Sequence, residues 1–313
     1  MTNEFIDLKE NMTVDAAFDK IRKIGIDKET IYTCYVLDMS RKLIGVVTAK
    51  DLLLADRNKL IKDIMDTNII SVNTLEDKEL VAKTFDKYDI LVLPVVDMEN
   101  RLVGIITIDD AIDVIQDENT EDFEKMAAIT PTDDSYFKTS VLAHAKHRII
   151  WLLILMVSAM ITGGIITNYE NAFAAVPILV SFIPMLMDTG GNCGSQTSTL
   201  IIRGLAMEEI KTKDFLKALW KEIRVALIVG VVLAIINAIR IIIQYHNVNL
   251  ALTVGLTLIT TVILSKALGC ALPMLAKKLK LDPAIMAAPL ITTIVDTCSV
   301  LIFFNVAIMI MNI

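Results

Sequence analysis

Cysteine and histidine are scarce in this chain. Its 313 residues include four cysteines and three histidines. No two of the cysteines (Cys34, Cys193, Cys270 and Cys298) form a Cys-x-x-Cys pair, and the histidines lack a Cys or His partner at a spacing typical of zinc ligands. The scarcity argues against a zinc site and, in a cytosolic or membrane setting, against disulfides.

Acidic residues are almost missing from the second half of the chain. Residues 148–313 hold 8 Asp and Glu against 12 Lys and Arg (12 − 8 = +4), whereas residues 1–147 hold 29 against 18 (18 − 29 = −11). A soluble region with this negative field attracts cations and disfavours nucleic acid. Met1 is followed by polar and charged residues, so we expect no signal peptide and a cytoplasmic first half.

Long apolar runs dominate the second half. Each is long enough to cross a hydrocarbon core about 30 Å thick, which takes about 20 helical residues. The loops at 203–224 and 277–280 are rich in Lys and Arg, whereas 168–172 and 244–249 contain none. For a multi-pass protein of a bacterial-type inner membrane, the positive-inside rule therefore predicts a cytoplasmic first half and a C-terminus outside. The five predicted spans are about 148–168, 172–202, 223–245, 250–276 and 284–312.

A polar stripe interrupts the second of these runs. The segment Asp188-Thr189-Gly190-Gly191-Asn192-Cys193-Gly194-Ser195-Gln196 is followed by Thr199 and Arg203, and its polar residues recur at helical spacing. A central intramembrane Asp costs about 2.5–3.5 kcal/mol unless it faces a wet cavity. We interpret the stripe as the lining of an ion pathway, with local unwinding at Gly190-Gly191. Polar helix–helix contacts are the alternative.

A second acid, Asp296, lies inside the fifth apolar run. It shares a helical face with Pro289, Thr292 and Ser299. An intramembrane Asp is by default a functional hypothesis, and a structural Asp held by hydroxyls such as that of Thr293 is the alternative. Lys266 lies deep in the fourth run, where it either snorkels or pairs with an acid.

The first half contains an internal repeat at an interval of 59 residues. Residues 36–51 and 95–110 align as strand, polar turn, strand and helix start, with Thr48 or Thr107 as the helix cap. Helical patterns at 14–24 and 77–88 precede the strands. This β-α-β-β-α layout with Gly-x-x-Thr-x-x-Asp resembles a tandem pair of CBS domains, at residues 1–63 and 64–118.

The CBS resemblance implies a candidate nucleotide site. In that family the last Asp of the motif commonly holds a ribose, and the matching residues here are Asp51 and Asp110, with Thr48 and Thr107 beside them. Ile90 stands where an aromatic residue that stacks on the base is expected. ATP is thus a candidate ligand that the sequence leaves open.

An acidic run follows the second repeat. Eight acids and no base occupy the sixteen positions from Asp109 to Glu124. Like charges one turn apart destabilise a helix unless cations offset them, and oxygen ligands suit Mg²⁺ or Ca²⁺. The run therefore predicts divalent-cation binding, with a solvated charged surface as the alternative.

The stripe segment, followed by Leu-Ile-Ile-Arg-Gly-Leu-Ala at 200–206, resembles the second transmembrane helix of MgtE magnesium transporters. The stretch from Asp282 to Asp296 also resembles an MgtE segment, and the resemblance covers nearly the whole chain. It implies an α-helical membrane domain of five transmembrane helices per subunit at 148–313, preceded by the α/β tandem CBS module and a connecting (plug) helix at 119–147. MgtE proteins commonly carry a further N-terminal helical domain before the CBS pair, and we expect altered gating in a chain that starts at the first CBS repeat.

The resemblance implies a homodimeric Mg²⁺ channel that lets Mg²⁺ flow down its gradient and is gated by cytosolic Mg²⁺. No hydrolytic motif is present, so we expect no enzyme. A Na⁺- or H⁺-coupled divalent cation exchanger and a non-conducting CBS-type sensor are the alternatives, and selectivity among Mg²⁺, Mn²⁺ and Co²⁺ stays open. The expected pore residues are Asp296, Asn192, Gly191, Thr292 and Asp188. The expected regulatory metal residues are Asp77, Glu79, Asp89, Asp110, Asp113, Glu118, Glu121, Asp122 and Asp282.

Overall fold

The structure is a computed structural model that describes residues 1–132 and 134–311, without the side chains of residues 171–173. The last predicted span position, 312, and the C-terminus lie outside the described residues. Two compact units are present, Met1–Asn119 and Thr120–Ile313.

The first unit is built from two copies of one β-α-β-β-α arrangement. In each sheet the first strand pairs in parallel with the second, which pairs antiparallel with the third. The strands are β1 (Ile6–Lys9), β2 (Thr33–Leu37), β3 (Leu43–Thr48), β4 (Val72–Asn73), β5 (Val92–Val96) and β6 (Leu102–Thr107), and the helices are α1 (Val14–Ile24), α2 (Ala49–Leu54), α3 (Lys78–Tyr88) and α4 (Ile108–Met126).

The 59-residue repeat is confirmed in backbone detail. Arg41 and Asn100, 59 positions apart, occupy the β-turns of the two hairpins with the same φ of 63°. Asp38 and Asp97 hold these turns, because each carboxylate accepts two backbone N–H bonds. The backbone hydrogen bond from Arg101 is the main reason that the pKa of Asp97 is lowered. The two sheets share a buried cluster that joins Tyr35 and Leu43 with Val96, Leu102 and Ile105.

The second unit is helical. Its elements are the end of α4, α5 (Val141–Asn168), α6 (Glu170–Ala175), a 3₁₀ helix (Pro177–Phe182), α7 (Ile183–Ala206), α8 (Phe215–Tyr245), α9 (Val248–Lys278), a 3₁₀ helix (Pro283–Met286) and α10 (Ala288–Met311). The predicted plug segment 119–147 contains the end of α4 and the start of α5, with no α-helix across 127–132 and 134–140.

Within the described residues, four helical segments are long and apolar enough to cross a membrane: Val141–Asn168, Thr212–Tyr245, Val248–Lys278 and Pro283–Met311. The polar stripe keeps α7 outside this set, although α7 is 24 residues long. The number of five spans therefore stays a prediction.

Two expectations about the second predicted span are wrong. The run 172–202 is not one helix, because the chain bends through the 3₁₀ helix between Pro177 and Pro184, residues that cannot donate backbone hydrogen bonds. Gly190-Gly191 does not unwind the helix, since α7 is continuous from Ile183 to Ala206. Close packing against neighbouring helices uses these glycines instead.

Candidate functional site

The candidate ion pathway lies along α7 and α10, which pack against each other. A Cβ added at Gly191 would lie 3.0 Å from Cγ2 of Thr292, and one added at Gly194 would lie 2.6 Å from Cγ2 of Ile291. Next to Gly191, a Cβ added at Gly190 would lie 2.8 Å from Cγ1 of Val295, the residue before Asp296. The order of these neighbours shows that α7 and α10 run antiparallel here.

The pairing of α7 with α10 brings together the residues expected to form the pore. Gly191 contacts Thr292, and Asn192 directly follows Gly191 on α7. Asp188 and Asp296 lie on the next turns of the two helices, beside the contact of Gly190 with Val295. Asp296 and Thr292 are partly buried, while Asp188 and Asn192 are exposed. A carboxylate pair, an amide and a hydroxyl group thus lie along one side of the helix pair.

The polar stripe of α7 faces outward from the protomer. All five stripe residues are exposed: Asp188, Asn192, Gln196, Thr199 and Arg203. The opposite side of the helix, which includes Gly190, Gly194, Thr197 and Ile201, is buried among α8, α9 and α10. Because exposed polar groups are unfavourable in lipid, the stripe requires water or protein opposite it.

The hydroxyl groups near Asp296 are already used elsewhere. Thr292 and Thr293 both donate to the backbone carbonyl of Pro289, at 2.9 and 2.8 Å. Thr297 donates to the carbonyl of Thr293, 3.1 Å away. In the described part of the chain none of these hydroxyls satisfies the Asp296 carboxylate, which weakens the structural alternative for that residue.

Lys266 has a definite partner. Its ammonium donates to the hydroxyl of Thr197 at 3.1 Å and lies 3.7 Å from the carboxylate of Glu222, to which Thr197 donates at 2.8 Å. The sequence did not reveal Glu222, because the basic segment 203–224 predicts a loop, whereas α8 begins at Phe215. The sequence does contain a signal for this pair. Glu222 is the one acid in α8 and Lys266 is the one base deep in α9, and the two lie at comparable distances from the turn that joins these helices.

The expected regulatory acids are mostly engaged by local partners. Asp77 caps α3 by accepting from the backbone N–H of Glu79, and Glu79 pairs with Lys83 at 2.6 Å. Asp89 ends α3 in a left-handed conformation, Glu118 pairs with Lys78 at 3.0 Å, and Asp110 pairs with the amino group of Met1 at 3.1 Å. Asp122 also has a partner. No group of three or more His, Cys, Asp or Glu able to hold a metal occurs among the residues described.

Two of the expected regulatory acids, Glu121 and Asp282, do come together. Lys125 lies between them, with its ammonium 2.6 Å from each carboxylate. Although partial burial works in the opposite direction, hydrogen bonds to Asp282 and Glu121 raise the pKa of Lys125, so it stays protonated. Asp282 also caps the following 3₁₀ helix through the backbone N–H of Ala284.

The second CBS repeat contains a cavity of about 480 Å³. Asp110 and Asp113 from α4 line it, together with Asn73, Thr74 and Lys78. In the first repeat, Thr48 and Asp51 instead form a reciprocal capping box at the start of α2, and their side chains bond to each other. Asp109 bonds to Thr107 in the second repeat, which lowers the pKa of Asp109.

Comparisons with known proteins follow this division of the chain. A sequence profile for MgtE, described as a divalent cation transporter, matches residues 183–306, and a CBS domain profile matches residues 1–58 and 61–117. The magnesium transporter MgtE of Thermus thermophilus is 38% identical over 307 residues, covering 98% of this chain and 68% of that protein. The chain belongs to the MgtE family.

A second MgtE relative, from Bacillus subtilis, is likewise 38% identical over 98% of this chain and 68% of its own length. Among solved structures, the cytosolic domain of the Mg²⁺ channel MgtE in complex with ATP is 44% identical, with a TM-score of 0.36, over 36% of this chain and 46% of that one. This MgtE family member is thus a multi-pass membrane protein with an α/β tandem CBS module.

Proposed function

We propose that this protein is a homodimeric Mg²⁺ channel whose pathway runs along the α7–α10 face. The observation that carries the proposal is the exposed polar stripe of α7 beside Asp296, in a unit otherwise made of apolar helices. The naming of the curated relatives as magnesium transporters supports Mg²⁺ as the transported ion.

The chemistry of the face suits a hydrated Mg²⁺ ion. Mg²⁺ binds oxygen ligands in near-octahedral geometry and gives up its water reluctantly. A pathway can therefore hold it through its water shell, with charge from Asp188 and Asp296. The amide of Asn192, the carbonyl oxygen of Gly191 and the hydroxyl of Thr292 can then accept hydrogen bonds from that water.

A two-fold axis next to the stripe completes the site. One chain supplies a single Asp296, and a second copy doubles the charge and covers the exposed polar side of α7. Most soluble oligomers are homo-oligomers with closed symmetry, of which the two-fold dimer is the commonest form. The stripe would then line water between two subunits rather than face lipid.

The loop charges give the orientation of the channel. The Lys- and Arg-rich segments 203–224 and 277–280 favour the cytoplasmic side. The CBS module is then cytoplasmic and the C-terminus lies outside. Without a hydrolytic motif, Mg²⁺ follows its electrochemical gradient.

Cytosolic Mg²⁺ is proposed to close the channel through the acids of α4 and Asp282. Two like charges about 8 Å apart repel by about 2 kcal/mol at an effective dielectric of about 20. A cation that binds the closed arrangement better shifts the gate toward it. Lys125 already bridges Glu121 and Asp282 within the second unit, and Mg²⁺ is proposed to act by reducing the repulsion among the acids of the α4 run.

ATP is proposed to bind in the cavity of the second repeat. A volume of about 480 Å³ is within the range of small-molecule sites, about 300–1,000 Å³. Asp110 is the ribose acceptor expected there. Titration calorimetry of ATP with the intact protein should show binding that Asp110→Ala removes and Asp51→Ala leaves unchanged.

Flux measurements with the purified protein in liposomes test the main proposal. We expect Mg²⁺ uptake that follows the imposed gradient and membrane potential and that is unaffected by Na⁺ or by a pH gradient. Uptake that requires either gradient would indicate a coupled exchanger, and no flux of Mg²⁺, Mn²⁺ or Co²⁺ would indicate a non-conducting sensor.

A further inference from the structure

Three polar side chains from three different helices meet inside the helical unit. They are Thr197 of α7, Glu222 of α8 and Lys266 of α9, called here the buried triad. The Thr197 hydroxyl is its centre, since it accepts from Lys266 at 3.1 Å and donates to Glu222 at 2.8 Å. Thr197 is fully buried, and the side chains of Lys266 and Glu222 are only 6% and 13% exposed.

Stability alone does not explain such a group. Placing two charges in a low-dielectric interior is costly, and apolar residues of similar volume are often equally stable or more so. What an ion pair adds is direction, because hydrogen bonds weaken steeply as their angle changes, whereas apolar contacts tolerate sliding and rotation. A directional contact is needed where the orientation of a helix matters.

The triad holds the helix that bears the polar stripe. Around Thr197, α7 lies very close to α9, because a Cβ on Gly269 would collide with the backbone carbonyl of Gly194. Small residues permit this close approach, but contacts between glycines do not fix the rotation of α7 about its own axis. The hydrogen bonds from Thr197 to both α8 and α9 fix that rotation.

We propose that the buried triad is a positioning network for the ion pathway. It sets the rotation of α7 so that Asp188 and Asn192 face the pathway while the neighbouring Cys193 stays buried in the helix packing. The inference rests on the proposed channel function for its transport consequence, but the rotation itself can be measured without transport.

Thr197→Val is the most direct variant. Valine keeps the shape of threonine and removes the hydroxyl that joins the two charged groups. We expect it to lower Mg²⁺ flux about tenfold, equivalent to about 1.4 kcal/mol in the transport barrier, and Thr197→Ser to restore most of the flux. Thr260→Val, the same change at an exposed threonine that bonds only within α9, serves as the matched control with wild-type flux.

The double variant Lys266→Met with Glu222→Met, in which neither side chain can hydrogen-bond to Thr197 as the native residues do, separates positioning from folding. Either single change leaves a buried charge without its partner and is expected to reduce the yield of folded protein. The double change leaves no charge, so we expect a wild-type melting temperature together with the same loss of flux as Thr197→Val.

Thiol labelling reports the rotation of α7 independently of flux. The first protein carries Asn192→Cys together with Cys193→Ala, and the second keeps the native Cys193. With the triad intact, a water-soluble maleimide should label Cys at position 192 at least about tenfold faster than it labels Cys193. A tenfold ratio corresponds to a difference of only about 1.4 kcal/mol in free energy. Mass spectrometry assigns the label. Thr197→Val or the double variant should reduce this contrast severalfold, whereas Thr260→Val should not.

The outcomes are distinct. A reduced labelling contrast together with reduced flux supports the positioning network. A well-folded Thr197→Val or double variant with unchanged labelling contrast overturns it, as does unchanged flux in these variants. Absence of flux in the wild-type protein would instead reject the channel function and leave the labelling contrast to decide whether the triad orients α7.

Discussion

Buried and partly buried polar side chains in this protein differ in whether a neighbouring group pairs with them. The thiol of Cys34 lies in the apolar core of the first repeat, Lys266 is balanced by Glu222 in the second unit, and Asp296 has none of the nearby threonine hydroxyls as a donor. A charge satisfied within the protein stabilises one arrangement, whereas an unsatisfied carboxylate is available to an ion. We therefore propose Asp296 as the residue that connects the structure to transport.

Cys34 gives a pH prediction for the CBS module. Burial raises the pKa of its thiol from 9.0 to about 12. The unfolded chain loses this proton above pH 9 and the folded chain does not, so the free energy of unfolding falls as pH rises from 9 to 12 and is unaffected below 9. The contribution of this one group is at most about 1.4 kcal/mol per pH unit.

Denaturant titrations of the intact protein at pH 8, 9 and 10 would measure this effect. Cys34→Ala should be less stable at pH 8 but should lose less stability between pH 9 and 10 than the wild type. Rapid alkylation of Cys34 in the folded protein at pH 8 would show that the thiol is not buried.

Lys125 gives a prediction about gating. Its ammonium separates the carboxylates of Glu121 and Asp282, which would repel each other without it. We expect Lys125→Met to raise Mg²⁺ conductance at zero cytosolic Mg²⁺ and to make closure depend more steeply on Mg²⁺. Recordings in inside-out patches with stepped bath Mg²⁺ would show the change, with Lys138→Met, an exposed lysine, as the control. An inhibition curve identical to that of the wild type would remove Lys125 from the gate.

At the scale of elements, α7 combines a polar outer side with a glycine-rich inner side. Gly190 lies against Thr261, Val295 and Ser299, where an added Cβ would be 2.8 to 3.0 Å from the nearest atoms. Gly163 in α5 has nothing within 4 Å. Gly190, Gly191 and Gly194 of α7 therefore serve close helix packing, whereas a Cβ at Gly163 would meet no atom of the described residues within 4 Å.

Alanine substitutions test this difference. Gly190→Ala should destabilise the protein by about 1–3 kcal/mol through overpacking. Gly163→Ala should be neutral or should stabilise α5 by up to about 1 kcal/mol, because alanine is the better helix former. Thermal unfolding in detergent compares the two variants, and equal melting temperatures would contradict the packing described for α7.

The sequence was informative where one element carries its own pattern. Helix α1 has the predicted bounds Val14–Ile24, and the 59-residue repeat placed both hairpins, because strand alternation and turn chemistry are local. It was misleading at Gly190-Gly191, where two adjacent glycines predict a break in the helix, because the role of these glycines depends on α9 and α10. Glu222 was missed for the same reason, since its partners lie on other helices.

The whole molecule is proposed to be a dimeric channel with a defined orientation in the membrane. We expect light scattering of the detergent-solubilised protein to give a dimer.

We also expect a cysteine introduced at Met311 to react with an impermeant thiol reagent on intact cells. Protection at Met311, with labelling of a cysteine introduced at Asn168, the exposed end of α5, would contradict the proposed arrangement of spans.

The proposal that Mg²⁺ passes along the α7–α10 face is tested most simply by Mg²⁺ uptake into liposomes that contain either the wild-type protein or Asp296→Asn. The substitution keeps the shape of the side chain and removes its charge, and Asp134→Asn provides the same change at an exposed position outside the predicted spans. We predict that Asp296→Asn gives a folded dimer with at least about a tenfold lower rate, since a loss of about 1.4 kcal/mol suffices for that, while Asp134→Asn transports like the wild type. Wild-type uptake by Asp296→Asn would contradict the assignment of the α7–α10 face as the ion pathway.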